Sequence, residues 1–126
     1  MHALLLPIVG LGSIAVIILD SAGSYASNKF GFRYTRLALG SFCIYGCVGA
    51  FAAHDGSVGM AAVAGGLVAL VDATIGWAIS WYIGPGRIPH ASSRRITKIA
   101  LLVTGYGALC GGMAAALVLM FAKRLR

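Results

Sequence analysis

Four long stretches of the chain consist almost entirely of hydrophobic residues, and the polar residues lie mainly between them. A helix needs about 20 mostly apolar residues to cross a hydrocarbon core about 30 Å thick. None of the stretches shows the strict alternation that is typical of strands in a membrane barrel. The pattern therefore predicts four transmembrane helices, over residues 3–20 or 3–27, 37–53, 58–83 and 99–122.

The predicted helices and their short connections account for nearly the whole chain, so we expect one all-α domain over residues 1–126. Its fold class would be an integral membrane protein, a compact four-helix bundle made of two helical hairpins. Composition agrees, because hydrophobic residues make up 60% of the chain, charged residues 10%, and the mean hydropathy is +0.91. No nucleophile–base pair and no phosphate-binding loop is apparent, and we expect no enzymatic activity.

Basic residues indicate how the helices would be oriented. Seven of the ten Lys and Arg residues lie in the first and third connections, and three lie near the carboxyl terminus. The positive-inside rule then places these two connections in the cytoplasm and both termini outside. The net charge of +7 is explained by this topology and by anionic lipid headgroups, so we expect no nucleic acid partner. The predicted interfacial anchors are Trp77, Trp81, Arg94 and Arg95.

Asp72 is the most informative residue, because it is the only charged residue between positions 59 and 83. An ionisable side chain inside the bilayer costs several kcal/mol unless it finds a partner or water, and such residues often serve a function. If Trp81 marks the interface, Asp72 lies nine residues further in, which is about 13 Å along a helix. Asp72 is therefore predicted to lie near the bilayer centre.

Small residues recur at the spacing that allows helix backbones to pack closely in membranes. Ala61, Gly65, Ala69, Asp72 and Gly76 follow one another at intervals of three or four residues. This stripe predicts that the Asp72 side chain faces other helices rather than lipid. The glycines predicted to lie at helix contacts are Gly46, Gly65, Gly76, Gly107 and Gly111.

A weak internal similarity suggests a duplication. Residues 18–27 align with residues 70–80 when one residue is inserted, and both segments contain an aliphatic pair, an Asp, a Gly, an aromatic residue and a Ser in that order. The following helices carry Tyr45-Gly46 and Tyr106-Gly107. The pattern indicates a parallel repeat of two hairpins.

The repeat would bring a second carboxylate, Asp20, to a depth similar to that of Asp72. Two such groups could hold a cation or share a proton, with nearby hydroxyl groups as hydrogen-bond partners. The predicted cation or proton site comprises Asp72, Asp20, Tyr45, Tyr106 and Thr104, and Ser41 lies near it in sequence. Two alternatives stay open: Asp20 at the end of a shorter helix, solvated or paired with Lys29 or Arg33, and Asp72 as a protonated acid that only holds helices together.

Metal and cofactor signals are weak. Cys43 and Cys47 lie one helical turn apart and would suit a soft metal, but Cys residues are also common core fillers. All three His residues fall at a terminus or in a connection, where they could not ligate a transmembrane haem. We expect no metal and no cofactor.

Two functions are compatible with this pattern. The first is a small transporter or channel subunit for cations, proton-linked or otherwise, with Asp72 as its central group. The second is a non-catalytic subunit of a larger membrane complex, in which the glycine stripes and aromatic ends serve as contact surfaces. The expected partners are the lipid bilayer and either further copies of the chain or other membrane subunits.

Overall fold

The structure, a computed structural model, describes residues 5–55, 57–87 and 92–125, and nearly all of this part is helical, without strands. The helices are α1 (Leu5–Phe30), α2 (Leu37–Ala52), α3 (Val58–Val71), α4 (Trp77–Ile83) and α5 (Ser93–Arg124). Short 3-10 turns, Tyr34–Arg36 and Ala53–Asp55, flank α2. A π-helical segment, Asp72–Gly76, joins α3 to α4.

Three helical stretches are long and apolar enough to cross a membrane: Leu5–Phe30, Val58–Ile83 and Ser93–Arg124. The second of these combines α3, the π segment and α4, and its bounds coincide with the predicted 58–83. The α2 helix is apolar but has only 16 residues, which is short of the usual spanning length. The protein is thus all-helical, with helices compatible with a multi-pass membrane protein.

The first helix extends further than its shorter prediction. It continues without interruption to Phe30 and ends before Gly31, whose φ of 69° is a conformation that glycine adopts without steric cost. The prediction of a helix that stops near residue 20 is therefore wrong, and Asp20 lies ten residues inside the helix end. The fourth predicted helix is also longer at its start, because α5 begins at Ser93.

The most extensive helix contact in the described structure is between α3 and α5. A Cβ atom added at Gly107 would collide with the Ala69 side chain and lie 2.7 Å from the Gly65 carbonyl oxygen. One added at Gly111 would lie 2.5 Å from the Ala61 carbonyl oxygen. The two backbones approach this closely because glycine carries no side chain, as expected for small-residue packing in membranes.

The outer surface of the bundle is apolar. Large side chains such as Leu6, Leu101 and Leu109 are each more than 60% exposed, and the buried core consists largely of Ala, Gly and Val. A protein dissolved in water rarely exposes so much contiguous apolar area. Surrounding lipid would accommodate this surface at little cost.

Candidate functional site

The π segment determines where Asp72 is presented. The backbone N–H of Trp77 donates to the Asp72 carbonyl five residues earlier, so the turn contains one residue more than an α-helical turn. The Thr74 hydroxyl donates to the Leu70 carbonyl at 2.7 Å and approaches the Val71 carbonyl at 3.3 Å. Such single-turn π segments within α-helices are frequent at functional sites.

The Asp72 carboxylate is held by a tyrosine from the neighbouring helix. Tyr45 is completely buried, and its hydroxyl donates a hydrogen bond to Asp72 Oδ2. Ser41 lies one turn earlier on α2, is also buried, and lines the same cavity as Tyr45 and Asp72. The α2 helix therefore supplies a short row of hydroxyl groups that leads to the carboxylate.

Asp20, on α1, packs against the same segment. It is only 3% exposed, and its carboxylate lies against the backbone of Gly76. A Cβ atom at Gly76 would lie 2.9 Å from Asp72 Oδ1 and closer still to Asp20 Oδ2. The two carboxylate oxygens are therefore separated by less than twice that distance. The alternative in which Asp20 is a solvated residue at a helix end is wrong, because α1 continues past it and its side chain is buried against the π segment.

On the carboxyl-terminal side of Asp20 and Gly76, polar contacts hold α1 alongside α4. The Ser24 hydroxyl donates to the Ser80 hydroxyl at 2.8 Å, with both residues fully buried. The Asn28 side-chain amide donates to the Ile83 carbonyl at 2.9 Å. These contacts keep the two helices parallel, so Asp20 stays level with the π segment.

A cavity of about 270 Å³ opens beside the carboxylates. It lies among α1, the first half of α2, the π segment and the beginning of α5. Its lining is mostly apolar and aromatic, with Asp20 and Asp72 as its two acidic residues. The residues that line it are Asp20, Thr35, Leu37, Ala38, Ser41, Phe42, Tyr45, Asp72, Ala73, Trp77, Ile99 and Val103.

The predicted interfacial anchors lie near the same end of the bundle. Trp77 lines the cavity, and its indole N–H donates to the Gly86 carbonyl at 3.0 Å, which fixes the ring. Trp81 is largely exposed, and its carbonyl accepts a 3.1 Å hydrogen bond from Arg87 Nε. Arg94 and Arg95 are exposed in the first turn of α5. Only Trp77 among the predicted anchors belongs to the cavity wall.

Two predicted site residues lie elsewhere. Tyr106 is 54% exposed and does not line the cavity. The centroid of its ring lies 6.2 Å from that of Phe42. The Thr104 hydroxyl donates to the Ala100 carbonyl of its own helix at 2.8 Å. The reason is that α5 turns its face of Gly107, Gly111 and Ala115 towards the bundle, and Tyr106 then points away. The structure does not bring these two side chains to the carboxylates.

The predicted packing glycines also differ among themselves. Gly65, Gly76, Gly107 and Gly111 are buried where other groups approach closely. At Gly46, an added Cβ atom would meet only the Ala114 side chain, at an ordinary 4.0 Å. The close contact of α2 with α5 is instead at Gly49, which lies against the backbone of Gly111.

The internal similarity has a structural counterpart in the first helix of each hairpin. Val16 and Val68, each four residues before an Asp, are both fully buried. Ser27 and Ser80, the last matched residues of the two segments, are buried as well. The residue inserted in the second segment falls between Asp72 and its following glycine, within the π segment, which keeps the later residues on the same face. The second helices do not correspond, because Tyr45 is buried and Tyr106 is exposed.

Metal ligands do not cluster in the described ranges. No group of three or more His, Cys, Asp or Glu residues is found among residues 5–55, 57–87 and 92–125. Cys43 and Cys47 are exposed on α2, and Cys110 is partly buried; all three are free thiols. His2 and His90 lie outside the described residues.

The sequence did not single out Gly76 as the contact between the two carboxylates, nor the Ser24–Ser80 pair. In the sequence, this arrangement of Asp20, Gly76 and Asp72 was indicated only by the residue inserted in the second segment of the internal similarity. No family model, curated protein or solved structure matches the chain.

Proposed function

We propose that this protein is a small integral membrane transporter or channel subunit that moves a cation, coupled to protons, through the Asp20 and Asp72 pair. One observation carries the proposal: two carboxylates flank Gly76 at the wall of a cavity, deep within long apolar helices. Acidic residues inside a bilayer are rare and commonly mark ion or proton pathways. No other acidic residue occurs in any apolar stretch of the sequence.

The chemistry of the pair suits reversible binding. Two carboxylates a few ångströms apart in a low dielectric repel each other when both are ionised, so they favour sharing a proton or binding a cation between them. The Tyr45 hydroxyl stabilises negative charge on Asp72 by donating to it. Exchange of the shared proton for a cation would leave the net charge of the pair unchanged.

The proposal includes a fourth membrane span and a sidedness. The α2 helix and its two 3-10 turns cover residues 34–55, and 3-10 turns advance about 2 Å per residue, so this stretch can approach the thickness of the bilayer core. By the positive-inside rule, the cavity would then open towards the cytoplasmic end. Asp20 and Asp72 lie ten and eleven residues before the ends of α1 and α4, near the middle of their spans.

Reconstitution into proteoliposomes tests the proposal. A pH-sensitive dye inside the vesicles would report proton movement when sodium, potassium or alkylammonium chloride is added outside, with the membrane potential clamped. We expect cation-dependent proton flux for the native chain and its loss in Asp72→Asn. Asp55→Asn, the same chemical change at the third acidic residue of the chain, is the matched control and should retain flux. Native protein that behaves like empty vesicles with every salt would overturn the proposal.

The alternative is a non-catalytic subunit of a larger membrane complex. The exposed aromatic residues Trp81 and Tyr82 at the end of α4 favour it, as a contact surface. The glycine stripes do not, because Gly65, Gly107 and Gly111 are occupied by contacts within the chain. Extraction in mild detergent followed by mass analysis separates three outcomes: the chain alone, a homo-oligomer, and an assembly with other membrane subunits.

A further inference from the structure

The cavity beside the carboxylates has two chemically distinct parts. At its inner end lie Asp20, Asp72 and the Tyr45 hydroxyl, and the rest is dominated by apolar and aromatic groups such as Phe42, Trp77 and Val103. Among the described residues that line it, none is Lys, Arg or His. The cavity therefore combines a negatively charged end with an apolar body.

An inorganic cation fits this cavity poorly. A bare metal cation needs about six oxygen ligands, and the apolar walls would not replace the water that it loses. The Tyr45 hydroxyl already donates to Asp72, and besides the two carboxylates the cavity lining offers a metal only the side-chain hydroxyls of Thr35 and Ser41. An organic cation would instead bring its own apolar part to contact these walls.

We propose that the cavity binds a small hydrophobic organic cation, an aromatic or alkyl ammonium whose charged group sits between Asp20 and Asp72. This inference rests on the proposed function and specifies its substrate class. The cavity volume of about 270 Å³ equals the liquid volume of about nine waters, which limits the ligand to roughly ten non-hydrogen atoms. The indole of Trp77 and the ring of Phe42 offer faces to which ammonium groups are attracted.

The packing of α2 against α5 explains how such a ligand would enter. The two helices touch at Gly49 and Gly111, where a side chain on Gly49 would collide with the other backbone. Further towards their amino-terminal ends, Phe42 of α2 and Val103 of α5 line the cavity instead of closing it. Part of the cavity thus lies between α2 and α5, on the side of the Phe42–Tyr106 ring contact where Arg36, Arg94 and Arg95 occur. A lipophilic cation dissolved in the membrane would enter from the side, between α2 and α5, and would avoid Arg36, Arg94 and Arg95.

Trp77 provides a direct reporter of occupancy, because the chain has two Trp residues and the other is exposed. In Trp81→Phe protein in neutral detergent, we expect benzyltrimethylammonium to change the Trp77 fluorescence saturably. Adding Asp72→Asn should weaken its apparent affinity at least tenfold, whereas Asp55→Asn should not. Ala38→Phe, at an exposed position on the cavity wall, should weaken binding by filling the space while both carboxylates stay in place.

The outcomes separate this inference from the proposed function. Neopentylbenzene, the neutral analogue of the probe, should give no saturable change; equal binding would show an apolar pocket without cation recognition and overturn the inference. No response to benzyltrimethylammonium, together with sodium- or potassium-dependent proton flux in vesicles, would overturn the substrate class and leave transport standing. No response and no flux with any salt would overturn both. Elution of each variant as a single peak of native size ensures that lost binding is not lost folding.

Discussion

The two ends of the bundle differ in how closely their helices pack. In the close-packed half, around Gly49, Gly65, Gly107 and Gly111, helix backbones touch and no side chain fits between them. In the cavity half, Asp20, Tyr45, Asp72 and Trp77 come from α1, α2, the π segment and α4, and open space remains between their side chains. The first half is closely packed, and the second contains a cavity with two carboxylates in its lining.

The change from one half to the other follows from the residues on each helix. On α5, small residues at positions 107, 111 and 115 give way towards the amino terminus to Val103 and Ile99. On the facing helix, α3 gives way to the π segment at Asp72. The additional residue in that turn directs the carboxylate towards Tyr45 while later residues keep their contact with α1. A local change in helical geometry therefore turns a packing face into a polar one.

The largest effect is expected in the close-packed half. Gly107→Leu would force a side chain into Ala69 and the Gly65 carbonyl, and we expect a loss of about 3 kcal/mol or more in stability. Gly105→Leu on the same helix is the control, because nothing lies within 4 Å of the added Cβ atom. Unfolding in sodium dodecyl sulfate, followed by circular dichroism, measures both. Equal stability of the two variants would contradict the packing of α3 on α5.

In the cavity half, Gly76→Ala should disturb binding more than folding. Its methyl group would displace Asp20 and approach Asp72 Oδ1, and we expect a loss of about 2 kcal/mol in stability. Binding of benzyltrimethylammonium should weaken at least tenfold, measured by Trp77 fluorescence. Gly46→Ala, whose added methyl group would make only an ordinary contact, should leave both stability and binding unchanged. Unaltered binding in Gly76→Ala would mean that the two carboxylates do not act together across this glycine.

A smaller effect is expected from Tyr45→Phe, which removes the hydrogen bond to Asp72 and leaves the ring in place. Interhelical hydrogen bonds in membranes contribute about 1 kcal/mol, and we expect a loss of that size in stability. Tyr106→Phe is the matched control, because that hydroxyl lies on the exposed face of α5 and outside the cavity. If the two variants unfold at the same mole fraction of sodium dodecyl sulfate, the hydrogen bond from Tyr45 to Asp72 does not stabilise the fold.

The smallest effect is expected from Thr74→Val, which removes the hydroxyl that donates to the Leu70 carbonyl within the π segment. We expect a loss of about 0.5 kcal/mol beyond that of Thr104→Val, since Thr104 makes the same kind of bond in a regular helix. Unfolding of both variants in sodium dodecyl sulfate measures the difference in their stability. A larger loss for Thr104→Val would show that the hydroxyl does not stabilise the π segment.

The presence of the long apolar helices could be predicted from hydropathy and length, but the end of α1 and the start of α5 could not. The stripe of small residues predicted that Asp72 faces other helices, and its carboxylate does contact Tyr45 of α2, although Asp72 is only partly buried. Whether Asp20 is buried depended on where α1 ends. Hydropathy allowed an end near residue 20 or near residue 27, because the polar residues after position 20 are small enough to stay in a helix. Two of those polar residues, Ser24 and Ser27, are buried on the same face as Asp20.

Other features could not be predicted. Tyr106 was grouped with Tyr45 because both precede a glycine, but an apolar helix gives little sign of which face it turns inwards. The face of α5 was decided by Gly107 and Gly111, which pack on α3 and leave Tyr106 outside. The π segment appeared in the sequence only as one inserted residue in a weak internal similarity, which is too little to assign a change of helix type.

We propose that Asp20 and Asp72 act as one proton-sharing pair beside Gly76. Infrared difference spectroscopy of the protein in lipid tests it, by following the C=O stretch of a protonated carboxyl group as pH is varied. We expect one such band in the native chain, which is lost or moved in both Asp20→Asn and Asp72→Asn and shifted in Tyr45→Phe. A band that survives unchanged in either Asn variant, or no band at any pH at which the protein is folded, would contradict the claim.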